Sequence, residues 1–323
     1  MTRLPAALLA LATLAVAAPA SAHCLDQDNF AIIVHGGTSS GKVYPERLAF
    51  IENMLAKRRA ELMTGDRAID IVERAIVEME DSGLFNAGRA AITNSAGYVE
   101  LDASIMDGRT LDAGAVASQL TLKNPIRAAR LVMDETRHVM MVGDRGEAAV
   151  ISLGAETVEP GEYFLRAKPR EHPKEHGTVG AAVLDRCGDL AAGTSTGGYD
   201  SKIPGRVGDS PIIGAGSYAK NGVMAASSTG HGEYFIRHTA LRTIAARMEY
   251  GGAALDTAAR KTLREMRAAG REASDGGTDG RGGVIAVDAE GNFSFAHSYA
   301  GMIHGMTDHR TEPRASQLGS KVE

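Results

Sequence analysis

The alternation of apolar and polar positions predicts a chain of mixed strands and helices. The run "FAIIVHGG" at 30–37 is continuously apolar and ends in two glycines, which is typical of a buried strand. Residues 66–80 instead carry apolar side chains at three- and four-residue spacing, which indicates an amphipathic helix. The same criteria predict further helices at 45–63, 124–136, 232–249 and 253–269, and further strands at 98–108, 138–143, 178–185, 190–195 and 223–228.

Hairpins favour antiparallel sheets in this chain. Residues 282–298 consist of two apolar runs around the polar, glycine-containing segment 288–292, which predicts a β-hairpin. Because the other strands also follow one another across short glycine turns, antiparallel pairing is favoured over a doubly wound parallel sheet. We therefore expect an α/β chain with mostly antiparallel sheets and one folding unit.

The first 22 residues have the pattern of a secretory signal peptide. Arg3 supplies a positive charge, residues 4–18 are apolar, and Ala20-Ser21-Ala22 offers a cleavage site of the A-x-A type. A membrane anchor would need about 20 apolar residues, and this run is shorter. The expected mature chain begins at His23 and is exported, with the periplasm as the expected compartment.

Composition narrows the class of protein further. The chain has 323 residues, of which 44% are hydrophobic and 23% charged, as in ordinary soluble globular proteins. Its net charge of −5 is mild, so neither nucleic acid nor an anionic membrane is an expected partner. The histidines form no H-E-x-x-H motif and no cysteine–histidine cluster, which disfavours a transition-metal enzyme. Cys24 and Cys187 could form a disulfide after export or remain two thiols.

The polarity of the chain changes abruptly at the Gly177–Thr178 step. Residues 166–177 are rich in charge, histidine and proline, whereas the residues from Thr178 onward form an apolar strand. One interpretation is a solvated linker. A chemical interpretation starts from threonine as a nucleophile, whose hydroxyl needs a nearby general base. Cleavage before Thr178 would create an α-amine on the same residue, with a pKa of about 7.7–8.0, and Gly177 would permit the geometry for hydroxyl attack on its carbonyl.

Several motifs, in order along the chain, resemble those of one family. The sequence is similar to the plant-type (type III) asparaginases and isoaspartyl peptidases, which are N-terminal-nucleophile hydrolases that mature by self-cleavage. The resemblance covers nearly all of residues 30–306. The segments that carry it are "LFNAG" (84–88), "ELDASIMDG" (100–108), "HGTVGA" (176–181), "AAGTSTGG" (191–198), "KIPGRVGDSPIIGAGSYA" (202–219), "STGHGEYFIR" (228–237) and "GGVIAVDAEGN" (282–292).

The resemblance implies an architecture and a subunit organisation. The expected fold is a four-layer αββα sandwich with two mostly antiparallel sheets. Self-cleavage would divide the chain into an α subunit, 23–177, and a β subunit, 178–323, which share one core. Family members are usually dimers of this αβ heterodimer.

The resemblance also implies the catalytic groups. Thr178 is the expected nucleophile, its freed amine the expected base, and Thr196 the residue that orients and activates its hydroxyl. Thr229 and the Gly230 N–H would form the oxyanion hole. Taken singly, each of these residues would be an ordinary strand or turn residue.

Substrate recognition is implied by a second group of residues. Arg206 would pair with the substrate α-carboxylate, and Asp209 would accept the α-ammonium group; taken alone, the two could equally form a loop salt bridge. Asn86 and Gly232 are expected to line the pocket. The implied substrate is a small molecule.

No cofactor is expected to take part in the chemistry. The resemblance does imply a structural sodium ion held by backbone carbonyls, which leave no mark in the sequence. The expected ligands are the carbonyls of Met79, Glu80, Ser82, Phe85, Ala87 and Arg89.

Three sister activities share this machinery. They are hydrolysis of β-aspartyl dipeptides and asparagine, glycosylasparaginase, and a threonine-type processing protease. "TSTGG" and "TGHGEYFIR" favour the first. Glycosylasparaginase stays as the alternative, and an uncleaved exported binding protein for acidic amino acids is an alternative from another class.

Overall fold

The computed structural model describes residues 25–39, 41–165, 177–272, 280–317 and 321–322. The predicted signal peptide, Cys24 and most of the polar segment before Gly177 lie outside the described residues. Cys187 is disulfide-bonded.

The described residues form strands and helices that are interspersed along the chain. The strands are β1 Ala31–Ser39, β2 Leu101–Asp107, β3 Ala113–Gln119, β4 Met140–Val142, β5 Val179–Leu184, β6 Leu190–Thr196, β7 Ser217–Lys220, β8 Met224–Gly230, β9 Gly282–Asp288, β10 Phe293–His297, β11 Gly301–Asp308 and β12 Arg314–Ser316. The helices are α1 Pro45–Met63, α2 Ala68–Asp81, α3 Pro125–Glu135, α4 Gly143–Ser152, α5 Pro160–Tyr163, α6 Gly232–Arg237, α7 Ala240–Glu249 and α8 Leu255–Glu272. None of the helices within these described ranges combines the length and apolarity needed to cross a membrane.

The strands form two sheets. The larger sheet has eight strands in the order β12-β11-β1-β5-β6-β2-β3-β4, and the smaller has four in the order β10-β9-β8-β7. Among the described strands, only β3 and β4 pair in parallel. The prediction of mostly antiparallel sheets is therefore confirmed.

Alternating side chains of the larger sheet enter two separate hydrophobic clusters. On β1, Ile32 and Val34 pack towards α1, α2 and α3, whereas Ala31 and Ile33 face the smaller sheet. Helices α6, α7 and α8 cover the far side of the smaller sheet with residues such as Phe235. Successive residues of a strand point to opposite faces of the sheet. The larger sheet therefore packs against helices with one face and against the smaller sheet with the other. The predicted αββα sandwich is confirmed.

Residues 232–249 were expected to form one helix, and that prediction is wrong. The structure has two helices, α6 and α7, separated at Thr239, whose φ is +41°. This left-handed conformation is unfavourable for a β-branched residue and ends the first helix. The apolar periodicity continues across the break because both helices bury side chains in the same cluster, Phe235 from α6 and Ile244 from α7.

The sheet topology brings distant segments together at one point. Strands β5 and β6 are neighbours near the centre of the larger sheet, with Val179 opposite Ser195. Thr178, just before β5, therefore lies beside Thr196, the last residue of β6. Strand β8 of the facing sheet ends nearby with Thr229 and Gly230.

Candidate functional site

The two threonines at this point form a hydroxyl pair. Thr178 Oγ1 donates to Thr196 Oγ1 over 3.1 Å, and both side chains are buried. Thr196 Oγ1 also accepts from the Gly198 N–H at 3.0 Å. The backbone that follows β6 thus fixes the position of the Thr196 hydroxyl, and the Thr196 hydroxyl orients that of Thr178.

Asn86 holds the peptide that precedes Thr178. Its backbone N–H donates to the Gly177 carbonyl at 3.0 Å. Its side-chain amide donates to the Gly198 carbonyl at 2.6 Å and accepts from the Ile92 N–H at 2.9 Å. Because the amide is used in this way, Asn86 lies behind the wall of the cleft, and it ties the Gly177 carbonyl to the segment that positions Thr196.

Arg206 is held on two sides. Its Nε donates to Glu233 Oε1 at 2.9 Å, and Nη2 lies 2.9 Å from the same oxygen in an ion pair. The Tyr199 ring lies below the guanidinium, with its centroid 4.5 Å from Cζ. Sequence reasoning assigned no role to Tyr199 or Glu233, because their contacts with Arg206 depend on how the loops fold.

Asp209 is a buried carboxylate close to Arg206 in the chain. Its Oδ2 accepts from Ser228 Oγ at 2.7 Å. Burial raises the pKa of Asp209 to about 6, against the opposing effects of the Ser228 hydrogen bond and the Arg206 charge. Gly232 packs directly on this group, since a Cβ there would lie 2.6 Å from Asp209 Oδ1. The predicted residue Gly232 therefore leaves room for the Asp209 carboxylate.

Thr229 has a buried hydroxyl without a protein partner. Its Oγ1 makes no hydrogen bond within the part of the chain that the structure describes. A buried donor without a partner normally costs about 1–3 kcal/mol, so such groups call for an explanation. The adjacent Gly230 lines the cleft. An oxyanion formed during a reaction would supply the missing acceptor.

The threonine pair, Arg206, Asp209 and Gly230 meet in one small cleft. Its volume is about 270 Å³, including the open space at its mouth. Its lining includes five of the predicted residues and adds four that sequence reasoning missed, Gly198, Tyr199, Gly208 and Ser210. The predicted residues Asn86, Thr229 and Gly232 are not part of the lining. The full lining is Thr178, Thr196, Gly198, Tyr199, Arg206, Gly208, Asp209, Ser210 and Gly230.

A buried lysine supports the loop that carries Arg206. Lys202 is fully buried, and its Nζ donates to the Glu100 carbonyl at 3.2 Å. The carboxylates of Glu100 and Asp102 each lie 4.0 Å from the same Nζ. Burial lowers the pKa of Lys202 and raises that of Asp102, and the mutual attraction opposes both shifts. The cluster fastens the loop to β2.

A chain of buried hydroxyls joins the two sheets beneath the cleft. Ser227 Oγ lies 2.9 Å from His35 Nε2 and 2.6 Å from Thr194 Oγ1. Thr194 Oγ1 continues to Ser217 Oγ at 2.7 Å, to which Ser104 donates at 3.0 Å. Burial lowers the pKa of His35 to about 3, so its imidazole is neutral at physiological pH. This series of hydrogen bonds provides partners for polar groups that are buried between the two sheets.

Glu80 is a second buried carboxyl, at the end of α2. Its Oε1 accepts from Ser195 Oγ at 2.6 Å and from the Ile126 N–H at 3.1 Å. Burial raises the pKa of Glu80 to about 8. Glu80 Oε2 and Asn124 Oδ1 are both buried acceptors without a partner among the described residues. Burial of this kind favours the neutral carboxyl over the carboxylate.

The predicted sodium ligands lie at the C-terminal end of α2 and in the loop that follows it. Four of their carbonyls already accept one hydrogen bond: Met79 from Ser82 Oγ, Phe85 from the Ala87 N–H, Ala87 from the Ala90 N–H and Arg89 from the Leu165 N–H. Each carbonyl has a second lone pair, so these bonds leave room for a cation. The described residues contain no group of three or more histidine, cysteine or acidic side chains that could hold a metal ion.

Comparison with known proteins gives a consistent result. A family model described as "Asparaginase" matches residues 28–168 and 163–315. The isoaspartyl peptidase of Salmonella typhimurium is 41% identical over 299 residues, which are 84% of this chain and 93% of that protein. The isoaspartyl peptidase of Escherichia coli is also 41% identical, over 84% of this chain and 90% of its own. An isoaspartyl peptidase/L-asparaginase of Rattus norvegicus is 36% identical over 85% of each chain.

These matches confirm the family resemblance seen in the motifs. They extend over most of the chain and include the segments that form the cleft. The chain belongs to the asparaginase family.

Proposed function

We propose that this protein is a self-processing threonine hydrolase that cleaves β-aspartyl dipeptides and the side-chain amide of L-asparagine. One observation carries the proposal: the hydroxyl pair of Thr178 and Thr196 opens into the same small cleft as Arg206 and Asp209. A nucleophile is thereby combined with one cationic and one anionic group. The names of the relatives, isoaspartyl peptidase and isoaspartyl peptidase/L-asparaginase, support this substrate class.

Maturation cuts the Gly177–Thr178 peptide bond. The Thr178 hydroxyl oxygen attacks the Gly177 carbonyl carbon, the C–N bond breaks, and the proton of the hydroxyl passes to the leaving nitrogen. The ester that results is hydrolysed by water to the Gly177 carboxylate and the Thr178 hydroxyl. The Asn86 N–H, which already donates to the Gly177 carbonyl at 3.0 Å, stabilises the negative charge that develops on that oxygen.

Substrate hydrolysis reuses the same hydroxyl. The new α-amine of Thr178 takes the hydroxyl proton while the oxygen attacks the substrate β-carbonyl. Thr229 Oγ1 and the Gly230 N–H donate to the oxyanion, and collapse expels the amine as ammonia or a peptide amino group. Water then hydrolyses the β-aspartyl ester and regenerates the enzyme.

The charges of the cleft select an aspartyl group with free α-substituents. Arg206 binds the α-carboxylate, because a guanidinium fork matches a carboxylate in geometry and charge. Asp209 accepts hydrogen bonds from the α-ammonium group. A substrate in which either group is blocked loses one of these charge-assisted hydrogen bonds.

Denaturing gel electrophoresis tests the processing. Purified protein should give two fragments, about residues 23–177 and 178–323, and N-terminal sequencing should find Thr178 at the start of the second. Thr178→Ala should remain one chain. A single band in the wild type after prolonged incubation would instead support an uncleaved binding protein, and fragments in Thr178→Ala would indicate an external protease.

Hydrolysis rates separate the sister activities. We expect the processed protein to cleave β-Asp-Leu and L-asparagine much faster than N-acetylglucosaminyl-asparagine. A preference for the glycosylated substrate would identify a glycosylasparaginase instead.

We also propose that the protein is exported to the periplasm. Supporting observations are the apolar pattern of the first 22 residues and the disulfide-bonded state of Cys187, since disulfides persist in oxidising compartments. Cell fractionation of the native host would test this, with activity expected in the periplasmic fraction.

A structural sodium ion is proposed for the loop from Met79 to Arg89. The C-terminal end of α2 directs carbonyls and the negative end of the helix dipole into this loop, which favours a cation. The melting temperature should be higher in sodium chloride than in choline chloride at equal ionic strength.

We propose a dimer of αβ heterodimers as the assembled form, as is usual in the family. Light scattering coupled to size-exclusion chromatography would give a mass close to twice that of the mature chain.

A further inference from the structure

Only part of the hydrogen-bonding capacity of the Arg206 guanidinium is used by the described residues of the protein. Of its five N–H donors, the Nε–H donates to Glu233 Oε1, and Nη2 lies 2.9 Å from the same oxygen. The remaining donors, on Nη1 and Nη2, are sufficient for a bidentate carboxylate contact. Glu233 therefore restricts rotation of the guanidinium within its own plane, and it leaves the N–H donors on Nη1 and Nη2 available to a ligand.

Tyr199 fixes the other degree of freedom of the fork. Its ring centroid lies 4.5 Å from Arg206 Cζ, well within the range of a cation–π contact. Both residues line the cleft, and the Arg206 side chain is only 14% exposed. A stacked aromatic ring opposes tilting of the guanidinium out of its plane, whereas Glu233 opposes rotation within the plane.

Tyr199 belongs to a hydrogen-bonded turn that is anchored to the core. The Tyr199 carbonyl accepts from the Lys202 N–H at 3.3 Å, and the Lys202 side chain is anchored in the buried cluster with Glu100 and Asp102. The Arg206 N–H is bound to the Ile203 carbonyl at 3.0 Å. Ring and guanidinium therefore belong to one braced loop, so their stacking is a built feature of the cleft.

We propose that Tyr199 is a specificity-determining positioning residue, which holds Arg206 in the one orientation that accepts a free α-carboxylate. This inference rests on the proposed function. A fork fixed in plane and tilt offers two parallel donors to a carboxylate, whereas a carboxamide in the same place supplies one oxygen and turns an N–H towards the cation. The braced fork thus increases the preference for a free carboxylate, and a loose fork would tolerate either group.

Calorimetric titration of the processed protein with two ligands tests this. L-aspartate carries the α-carboxylate, and L-isoasparagine carries a carboxamide there and is otherwise identical. In Tyr199→Leu, which keeps apolar bulk without an aromatic face, we expect the Kd for L-aspartate to rise about 3- to 30-fold. The Kd for L-isoasparagine should change by less than about twofold, because little of its binding depends on the orientation of the fork.

Tyr199→Phe is the matched variant, since it keeps the aromatic face and removes only the hydroxyl. It should restore most of the preference for L-aspartate. If Tyr199→Leu does not accumulate as processed protein, Tyr199→Met gives the same comparison. An unchanged Kd for L-aspartate in Tyr199→Leu would overturn the inference, and so would equal weakening of both ligands or a Tyr199→Phe variant as impaired as Tyr199→Leu.

The titration separates this inference from the proposed function because it measures binding without turnover. A wild type that binds L-aspartate in a Tyr199-dependent manner but hydrolyses no β-aspartyl substrate would remove the proposed function and leave the inference standing. Hydrolysis of β-aspartyl substrates together with L-aspartate binding that is insensitive to Tyr199 would support the proposed function and overturn this inference.

Discussion

Thr178 Oγ1 donates to Thr196 Oγ1 over 3.1 Å, across the antiparallel pair of β5 and β6 at the floor of the cleft. The contact joins the proposed nucleophile to a hydroxyl that is itself held by the Gly198 N–H. An attacking oxygen needs a fixed direction as well as a base, and this pair supplies the direction.

Thr196→Val removes this contact at nearly constant volume. We expect kcat for β-Asp-Leu to fall about 10- to 100-fold, because the lost hydrogen bond orients the attacking hydroxyl. Thr196→Ser keeps the hydroxyl and should retain most of the rate. Steady-state kinetics on processed protein checks this, and equal rates for the valine and serine variants would remove Thr196 from the mechanism.

Thr229→Val should lower kcat about 10²- to 10³-fold, the usual effect of removing one oxyanion-hole donor. KM should change little, since the donor acts only when charge develops on the substrate oxygen. Thr229→Ser is the control. A large rise in KM with kcat preserved would show that Thr229 binds the ground state instead.

Asp209 should impose a pH dependence on substrate capture. Burial raises its pKa to about 6, so below that pH the carboxyl becomes neutral and no longer pairs with the α-ammonium group. We expect an additional loss in kcat/KM of up to about tenfold per pH unit below this pKa. Asp209→Asn should have a lower kcat/KM throughout, and its profile should lack this added steepness on the acid side.

Glu80 should make the fold more stable in mild acid than at alkaline pH. Its folded-state pKa of about 8 exceeds the ordinary 4.5, so the folded chain holds an extra proton between these values. The free energy of unfolding should therefore fall as pH rises through this window, by up to about 1.4 kcal/mol per pH unit from this group. Urea titrations of single-chain Thr178→Ala, with and without Glu80→Gln, measure the difference. Identical pH profiles would contradict the prediction.

Gly208 leaves space for Arg206. A Cβ at this position would lie 2.6 Å from Arg206 Nη1, so Gly208→Ala must displace the guanidinium. We expect KM for β-Asp-Leu to rise about tenfold or more, as a charge-assisted hydrogen bond contributes about 1.5–3 kcal/mol. Gly161→Ala, where a Cβ meets no atom within 4 Å, is the matched control. Equal KM values for the two variants would contradict this account of Gly208.

Sequence reasoning reached most of the cleft because its residues lie in local motifs. Thr178, Thr196, Arg206 and Asp209 each stand in a short glycine-rich segment, and family order then assigns their roles. Periodicity likewise predicted strands such as β5, since a core strand must be apolar whatever it packs against.

The contacts that escaped prediction depend on distant segments. Ser104, Thr194, Ser217 and Ser227 each look like small strand residues, and only the stacking of two sheets joins their hydroxyls. Glu233 lies within a recognised motif, yet its partner Arg206 is 27 positions away. Thr239 breaks a helix without interrupting its apolar spacing, because both halves face one core.

The strand order of the larger sheet gives the proposed cleavage a further meaning. Strand β1, from before the cut, lies between β11 and β5, which come after it, and β5 and β6 together separate β1 from β2. Neither fragment alone could form this continuous sheet, so Thr178 reaches its place beside Thr196 only when both parts of the chain have come together. Because the completed sheet positions Thr178, the proposed self-cleavage would serve as a check on folding: a misassembled chain would keep its peptide bond intact and would not acquire the α-amine of Thr178.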